Sequence, residues 1–196
     1  LMEKAARKVI GGLVDLHGKS LTEKPEGFID KDEVPHAWHY LVNPGSSITG
    51  RCMIEGNGLT VLHNGEAAYP VMLKAISEAR ERVFLSSFIF GYDEVGKSFA
   101  AALRAAAERG CDVRLLMVGS FHLWPGWGKR LGPDVRLAYF LPPRLIPPQF
   151  SINLRTHRKV LICDGETGFT GGMNISQNHL VNLKRRSRVQ DVHFRC

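Results

Sequence analysis

Apolar residues recur along most of this chain in two alternating patterns. Short apolar runs at 59–62, 83–90 and 112–118 predict strands, and the run at 83–90 is dense enough in β-forming residues for a buried central strand. Between these runs, residues 66–82 and 97–109 repeat apolar side chains every three or four positions, which predicts amphipathic helices. This β-α-β-α-β order predicts an α/β domain with a mixed, largely parallel sheet flanked by helices.

The same patterns divide the chain into two parts. Residues 1–55 form an N-terminal extension, and residues 56–196 form the predicted α/β domain. Within the extension, residues 1–16 place apolar side chains near one face and basic ones on another, so we expect an amphipathic helix. Such a helix either rests on a membrane or packs as an ordinary surface helix, and the interruption by two glycines favours the second. Residues 17–50 are irregular.

Further strands are predicted at 135–140 and 189–194, where apolar and β-forming residues cluster again. Two apolar, proline-containing segments, 121–127 and 141–150, surround the first of these strands and are predicted to be loops. Apolar loops of this kind form a lid, touch acyl chains, or simply pack against the rest of the protein. The basic run at 184–188 fits either a phosphate-rich surface or a solvated face.

Composition narrows the choice of partners only moderately. The 196 residues are 44% hydrophobic and 23% charged, which is ordinary for a globular protein, and the formal net charge is +7. A positive charge favours phosphodiesters, nucleic acid or an anionic lipid surface, although many basic proteins have no such partner. No apolar run approaches the roughly 18 residues that span a bilayer. We therefore expect a cytoplasmic protein or one peripheral at the cytoplasmic membrane.

The sequence gives little indication of a metal-binding site or of disulfide bonds. The four cysteines lack metal-binding spacing, and Cys111 and Cys163 lie in or beside apolar runs, as buried thiols do. His36 and His39 flank Trp38, but two histidines are too few ligands for a metal site. We expect neither a metal nor another cofactor.

The most informative stretch has the polar pattern H-x-K-x4-D-x6-G-G-x-N, formed by His157, Lys159, Asp164, Gly171-Gly172 and Asn174. The apolar run at 160–162 predicts a strand, and residues 167–170 predict a return strand after a turn at Gly165 and Glu166. Alternate residues of a strand share a face, so the imidazole and the ammonium group project together and suit a phosphate. We expect the glycine pair to let the backbone approach a ligand, and Asn174 to begin a helix that attracts anions.

This pattern resembles the HKD signature of the phospholipase D superfamily, and its Gly-Gly-Met-Asn ending is most similar to bacterial cardiolipin synthases. Residues 56–120 also resemble the opening of that type, with a Gly-Asn turn, an Asp-x-x-Gly loop and a Val-Arg-Leu-Leu strand. A second H-x-K, at His17 and Lys19, lacks both the aspartate and the glycines. The context of strand, turn and strand makes the full match specific.

The resemblance implies a role for each candidate residue. His157 attacks phosphorus to form a phosphohistidine, Asp191 holds its tautomer, and Lys159 and Asn174 stabilise charge on the phosphate oxygens. Asp164 braces the strands through hydrogen bonds. A second histidine must protonate the leaving alcohol, so the site needs a second HKD half. We expect that half from a missing C-terminal part of a longer enzyme or, as an alternative, from an identical copy.

Three functions remain open on the sequence. The first is phosphodiester hydrolysis or transphosphatidylation on phospholipids, with a phosphatidylglycerol-like substrate, an acceptor alcohol and peripheral membrane contact. The second is a homodimeric nuclease or phosphodiesterase acting on nucleic acid. The third is a non-catalytic half-domain that lacks its second motif. The apolar loops favour lipid over nucleic acid.

Overall fold

A computed structural model describes residues 28–29, 34–40, 53–118, 126–140, 144–145, 148–149, 156–183 and 188–196. The chain divides into two units, Leu1–Asn57 and Gly58–Cys196. In the first unit, strand β1 (Phe28–Ile29) pairs antiparallel with β2 (Met53–Ile54), and a short 3-10 helix covers His36–Trp38. The predicted helix at 1–16 lies outside the described residues.

The second unit alternates strands and helices along the chain. Its elements are β3 (Thr60–His63), α1 (Asn64–Glu78), β4 (Arg82–Ser87), α2 (Glu94–Glu108), β5 (Asp112–Val118), α3 (Trp127–Leu131), β6 (Arg136–Phe140), β7 (Arg144–Leu145), β8 (Pro148–Gln149), β9 (Val160–Cys163), β10 (Thr167–Gly171) and β11 (Val192–Arg195). This confirms the predicted α/β class.

Seven strands form one mixed sheet in the order β3-β11-β10-β9-β4-β5-β6, while β7 and β8 form a separate hairpin. Parallel pairing is confined to β4-β5-β6, and the four other neighbouring pairs are antiparallel. Five of the seven strands nevertheless point the same way, because β9 and β11 alone run against the rest. The last strand, β11, lies between the first strand, β3, and β10.

The helices form where the apolar spacing predicts them, with shifted ends. Helix α2 begins at Glu94, three residues before the predicted start, because the Asp93 carboxylate accepts a hydrogen bond from the Gly96 N–H (3.0 Å) and caps the first turn. It ends at Glu108, and Gly110 follows in the left-handed region at φ 97°. Helix α1 packs against α2, and α3 packs beside α2.

The core lies between these helices and the sheet. Burying one large apolar side chain contributes about 1.5–3 kcal/mol, so the core residues hold the helices on the sheet. The largest fully buried apolar side chains come from both layers: Ile76, Val83, Phe99, Leu103, Val113, Leu115, Met117, Leu131, Leu161, Phe169 and Met173. Cys111 and Cys163 are buried free thiols, as predicted, and burial raises the pKa of the Cys163 thiol to about 12.

Among the described residues, no helix has both the length and the apolar character needed to cross a bilayer. The described residues of the predicted loop 141–150 form the paired strands β7 and β8, and Trp127, at the end of the predicted loop 121–127, begins α3. Positions 121–125, 141–143, 146–147 and 150 lie outside the description. The basic run at 184–188 is described only at Arg188.

Candidate active site

Four of the five candidate residues, His157, Lys159, Asn174 and Asp191, lie near one edge of the sheet. Strands β3, β4 and β10 end at this edge, and β9 and β11 begin there. The register shows this, because Val160, the first residue of β9, pairs with Ser86 of β4 and Thr170 of β10. Likewise Val192, the first residue of β11, pairs with His63, the last residue of β3. We call this edge the site edge. The strand alternation that the sequence predicts therefore supplies side chains from five neighbouring strand ends to one place.

His157 and Lys159 lie just before β9 and both contact the ring of Phe88, which follows β4. The His157 imidazole stacks on that ring with 4.0 Å between centroids and 24° between planes. The Lys159 Nζ lies 5.3 Å from the ring centroid and donates a hydrogen bond of 2.7 Å to the His157 carbonyl oxygen. The structure thus brings the two predicted phosphate-binding side chains together.

Lys159 also lies within the electrostatic reach of Asp191. Partial burial lowers the pKa of the Lys159 ammonium group, and the negative charge of Asp191 acts in the opposite direction. Among the described residues, the Asp191 carboxylate accepts a hydrogen bond of 2.8 Å from the Val192 N–H, and it forms none with the His157 ring. The contact that positions the His157 imidazole is its stacking on Phe88, rather than a hydrogen bond to Asp191.

Asn174 is connected to the site edge through β4 rather than through a helix. Its side-chain oxygen accepts a hydrogen bond from the Ile89 N–H (3.0 Å), and its backbone N–H donates to His179 Nε2 (3.2 Å). The predicted helix start at Asn174 is wrong: the only helical turn described after the motif is the 3-10 helix Gln177–His179. That turn begins after Ser176, whose side chain accepts a hydrogen bond from the Asn178 N–H.

The two glycines of the motif make room for side chains from β11. A Cβ atom on Gly171 would lie 2.7 Å from Nδ1 of His193, and a Cβ atom on Gly172 would collide with the Asp191 carboxylate. Gly171 also has φ 157°, a value that side chains disfavour. The sequence analysis expected the pair to admit a ligand, whereas the close neighbours in the structure are Asp191 and His193.

Asp164 lies at the opposite end of β9 from Lys159, in the turn before β10. Its carboxylate accepts hydrogen bonds of 2.9 Å from the backbone N–H groups of Arg80, Glu81 and Arg82. Desolvation acts to raise the pKa of Asp164, but these three bonds outweigh it, so the pKa lies below its usual range. Asp164 therefore ties the β9–β10 turn to the start of β4, away from the other four candidates.

The segment 174–179 is held in place by two side chains from the helices. The Tyr69 hydroxyl, on α1, donates to the carbonyl oxygens of Asn174 and Ser176, each at 2.8 Å, and burial raises its pKa. The Asp93 carboxylate, at the start of α2, accepts from the Gln177 N–H (2.8 Å) and the Ser176 hydroxyl (3.1 Å). The helix layer thereby fixes the position of Asn174.

Two further histidines surround Asp191. His193 is 1% exposed and His179 is 5% exposed. Burial lowers the pKa of His193 to about 4, and it lowers the pKa of His179 as well, while the charge of Asp191 acts to raise both. Both imidazoles are therefore neutral near pH 7. Among the described residues, neither ring nitrogen of His193 has a hydrogen-bond partner.

The sequence analysis did not single out Phe88, Tyr69, Asp93, His179 or His193 as site residues. For His193 a signal existed: it lies two residues after Asp191 in a predicted strand, so it shares the aspartate's face. The capping spacing from Asp93 to Gly96 was a second signal. Nothing in the spacing links Phe88 to the motif, because that contact depends on the pairing of β4 with β9.

The described residues offer no metal centre, since they contain no group of three or more His, Cys, Asp or Glu side chains arranged to hold an ion. The rings of His36 and His39 lie 5.1 Å apart in the first unit. The site edge brings together the imidazole of His157, the ammonium group of Lys159 and, through the Ile89 N–H, the side chain of Asn174.

Known proteins that match this chain include cardiolipin synthases. A family model described as the phospholipase D-like domain of cardiolipin synthase matches residues 72–186. Cardiolipin synthase B of Escherichia coli K12 is 41% identical over 130 residues, which cover 64% of this chain and 32% of that protein. The major cardiolipin synthase of Bacillus subtilis is 34% identical over 146 residues, covering 72% of this chain and 30% of that protein. The matched region thus spans about a third of these curated relatives.

Solved structures share the fold at low sequence identity. A phospholipase D family member, Nuc from Salmonella typhimurium, superposes with a TM-score of 0.50 at 20% identity, over 70% of this chain and 81% of that chain. A phosphatidylserine synthase from Haemophilus influenzae gives a TM-score of 0.55 at 15% identity, over 70% of this chain and 32% of that chain. At such identities the similarity establishes the fold alone.

Proposed function

This chain belongs to the phospholipase D-like domain family of the cardiolipin synthases, and from that membership we propose that it supplies one half of a phosphodiesterase site acting on phospholipids. The observation that carries the proposal is the placement of His157 beside Lys159 at the site edge, with Lys159 within the field of Asp191. An imidazole next to a compact positive charge is the arrangement that nucleophilic attack on an anionic phosphodiester requires.

In the proposed first step, a nitrogen lone pair of His157 forms a bond to phosphorus while the bond from phosphorus to the leaving alcohol breaks. A second histidine donates its proton to the departing oxygen. In the second step that histidine takes the proton of water or an acceptor alcohol, whose oxygen attacks phosphorus and breaks the bond to nitrogen. Water completes hydrolysis, and an alcohol completes transphosphatidylation.

The remaining candidate residues stabilise the charges that develop during the reaction. Lys159 and the Asn174 amide stabilise the phosphate oxygens as negative charge redistributes, which is often the largest single contribution to such catalysis. Asp191 keeps Lys159 cationic through its negative charge and contributes negative potential to the site edge when the imidazole becomes cationic. Asp164, through its three backbone hydrogen bonds, supports the strand that presents Lys159.

The two described histidines beside Asp191 are poor candidates for the second histidine. His179 and His193 are buried, and burial lowers the pKa of each, so neither suits the protonation of a leaving alcohol near pH 7. We therefore propose that a second HKD half completes the site. It is either a further part of the same protein, as the length of the curated relatives favours, or an identical copy.

The first test is turnover of an aryl phosphodiester in EDTA by this chain and by its His157→Ala variant. If two copies of the chain complete the site, the wild type should turn over through an acid-labile phosphohistidine, and the variant should lose both turnover and label by several orders of magnitude because the nucleophile is missing. No turnover in either protein would favour a second half in a further part of the same protein. The matched control is His36→Ala, which removes an exposed histidine of the first unit. Labelling that survives in His157→Ala would refute the nucleophile assignment.

A substrate comparison separates lipid from nucleic acid. Phosphatidylglycerol vesicles, with and without a short alcohol as acceptor, are compared with single- and double-stranded DNA at equal phosphate concentration. We expect release or exchange of the lipid head group. Preferential cleavage of DNA would replace the phospholipid proposal with the nuclease alternative, which the net charge of +7 equally accommodates.

A further inference from the structure

Phe88 is the side chain that His157 and Lys159 share. It follows the last residue of β4 and is 8% exposed, yet one face of its ring carries the exposed His157 imidazole at 4.0 Å and 24°. The Lys159 Nζ lies 5.3 Å from the centroid of the same ring. Since both candidate catalytic groups contact one buried ring, the position of that ring sets the position of both groups relative to each other.

The backbone around Phe88 is fixed on both sides. The Ser87 hydroxyl donates to the Ile89 carbonyl oxygen at 2.6 Å, and the Ile89 N–H donates to the Asn174 side chain at 3.0 Å. The next residue, Phe90, pairs with Ile175. Asn174 therefore holds the strand end that carries Phe88, so the aromatic ring is positioned by the same motif whose first residues it contacts.

The ring also offers an electrostatic effect that an aliphatic residue lacks. The face of an aromatic ring carries partial negative charge and attracts cations within about 6 Å. Lys159 meets this distance, and His157 becomes cationic when one nitrogen bonds to phosphorus while the other keeps its proton. A stacked aromatic ring favours that cationic state over the neutral one, which is selective stabilisation of the reacting form.

We propose that Phe88 is a positioning residue of the site, an aromatic platform that aligns His157 with Lys159 and stabilises both as cations. This inference rests on the proposed function for its catalytic consequence. The alignment itself is independent of any reaction, so the two parts are separable by experiment.

The test uses three variants of this chain. Phe88→Leu keeps an apolar side chain but removes the ring, and Phe88→Tyr restores a ring. Phe84→Leu is the matched control, since Phe84 lies on β4 and contacts Arg114 rather than His157. The imidazole protons of His157, assigned by comparison with His157→Ala, are recorded by NMR, and kcat and KM are measured on the aryl phosphodiester.

In the wild type we expect the His157 signals to be shifted upfield by the ring current of Phe88. Phe88→Leu should abolish that shift and lower kcat about tenfold with little change in KM, the size expected of one desolvated cation–π contact. Phe88→Tyr should recover both, and Phe84→Leu should leave both unchanged.

Two results would overturn the platform: His157 signals that are the same in Phe88→Leu and the wild type, or equal losses in Phe88→Leu and Phe84→Leu, which would indicate general destabilisation. Absence of turnover in the wild type with the upfield shift intact would show only that two copies do not complete the site, since the NMR comparison of Phe88→Leu with Phe88→Tyr decides the alignment by itself.

Discussion

Lys159 is subject to opposing effects from burial and from a neighbouring carboxylate. Partial burial lowers the pKa of its ammonium group, and the charge of Asp191 counters that effect. A lysine bound to phosphate must keep its proton, because the neutral amine offers no charge to the phosphate oxygens. Asp191 thus has a function toward Lys159 that does not depend on a direct bond to His157.

Replacing Asp191 with Asn should lower the pKa of Lys159 further, since the variant removes the charge that opposes desolvation. NMR titration of the Lys159 side chain measures this directly. Asp134→Asn, an exposed change outside the site edge, is the control and should leave the titration unaltered. A Lys159 pKa that rises or stays constant in Asp191→Asn would contradict the electrostatic link.

Among the secondary-structure elements, the hairpin of β9 and β10 is held in place by the residues of its turn. Asp164 and Gly165 both adopt positive φ, 57° and 84°, and the Asp164 carboxylate holds three N–H groups at the start of β4. Three donors on one carboxylate anchor β9 beside β4 in the register that brings Lys159 to Phe88. The aspartate of the motif therefore acts at a distance from the site edge.

Asp164→Asn should destabilise the fold by about 1–3 kcal/mol, because the amide presents one acceptor oxygen and no charge to three donors. Asparagine tolerates positive φ, so the backbone of the turn is spared. Urea unfolding measures the change, with Glu166→Gln, an exposed carboxylate of the same turn, as the control. Equal midpoints for the two variants would remove Asp164 from this role.

How far the sequence predicts these elements depends on the range of the interactions involved. Strand β5 matches its predicted bounds because its apolar run is local and dense. The early start of α2 depends on the Asp93 cap, which is also local and was available in the sequence. The absent helix at Asn174 was not predictable, since its carbonyl oxygen is held by Tyr69 and its side chain by the Ile89 N–H, and only the tertiary fold brings these residues near.

At the scale of the whole molecule, the buried histidines make the free energy of unfolding depend on pH. The pKa of His193 is about 4 in the folded protein and near 6.5 when exposed. Between those values the unfolded chain binds a proton that the folded chain does not, so acidification favours unfolding. The pKa of His179 is lowered in the same direction. The strand that carries Asp191 thus becomes less stable as the pH falls.

We expect the free energy of unfolding to be insensitive to His193 above pH 6.5 and to decline toward pH 4 by up to about 3 kcal/mol. His193→Gln, which cannot titrate in this range, should flatten that decline. Chemical denaturation from pH 7.5 to 4 measures both proteins. Parallel curves for wild type and His193→Gln would show that the histidine is not the acid-sensitive group.

The position of β11 has a consequence for the order in which the molecule is completed. This strand is last in the sequence yet pairs with β3, the first strand of its sheet, and it carries Asp191 into the site edge. During synthesis, β3 leaves the ribosome more than a hundred residues before β11, so β3 stays unpaired until β11 is made. The site edge therefore lacks Asp191 until β11 pairs with β3 and β10, so a chain still in synthesis does not yet have the charge that opposes the effect of burial on Lys159.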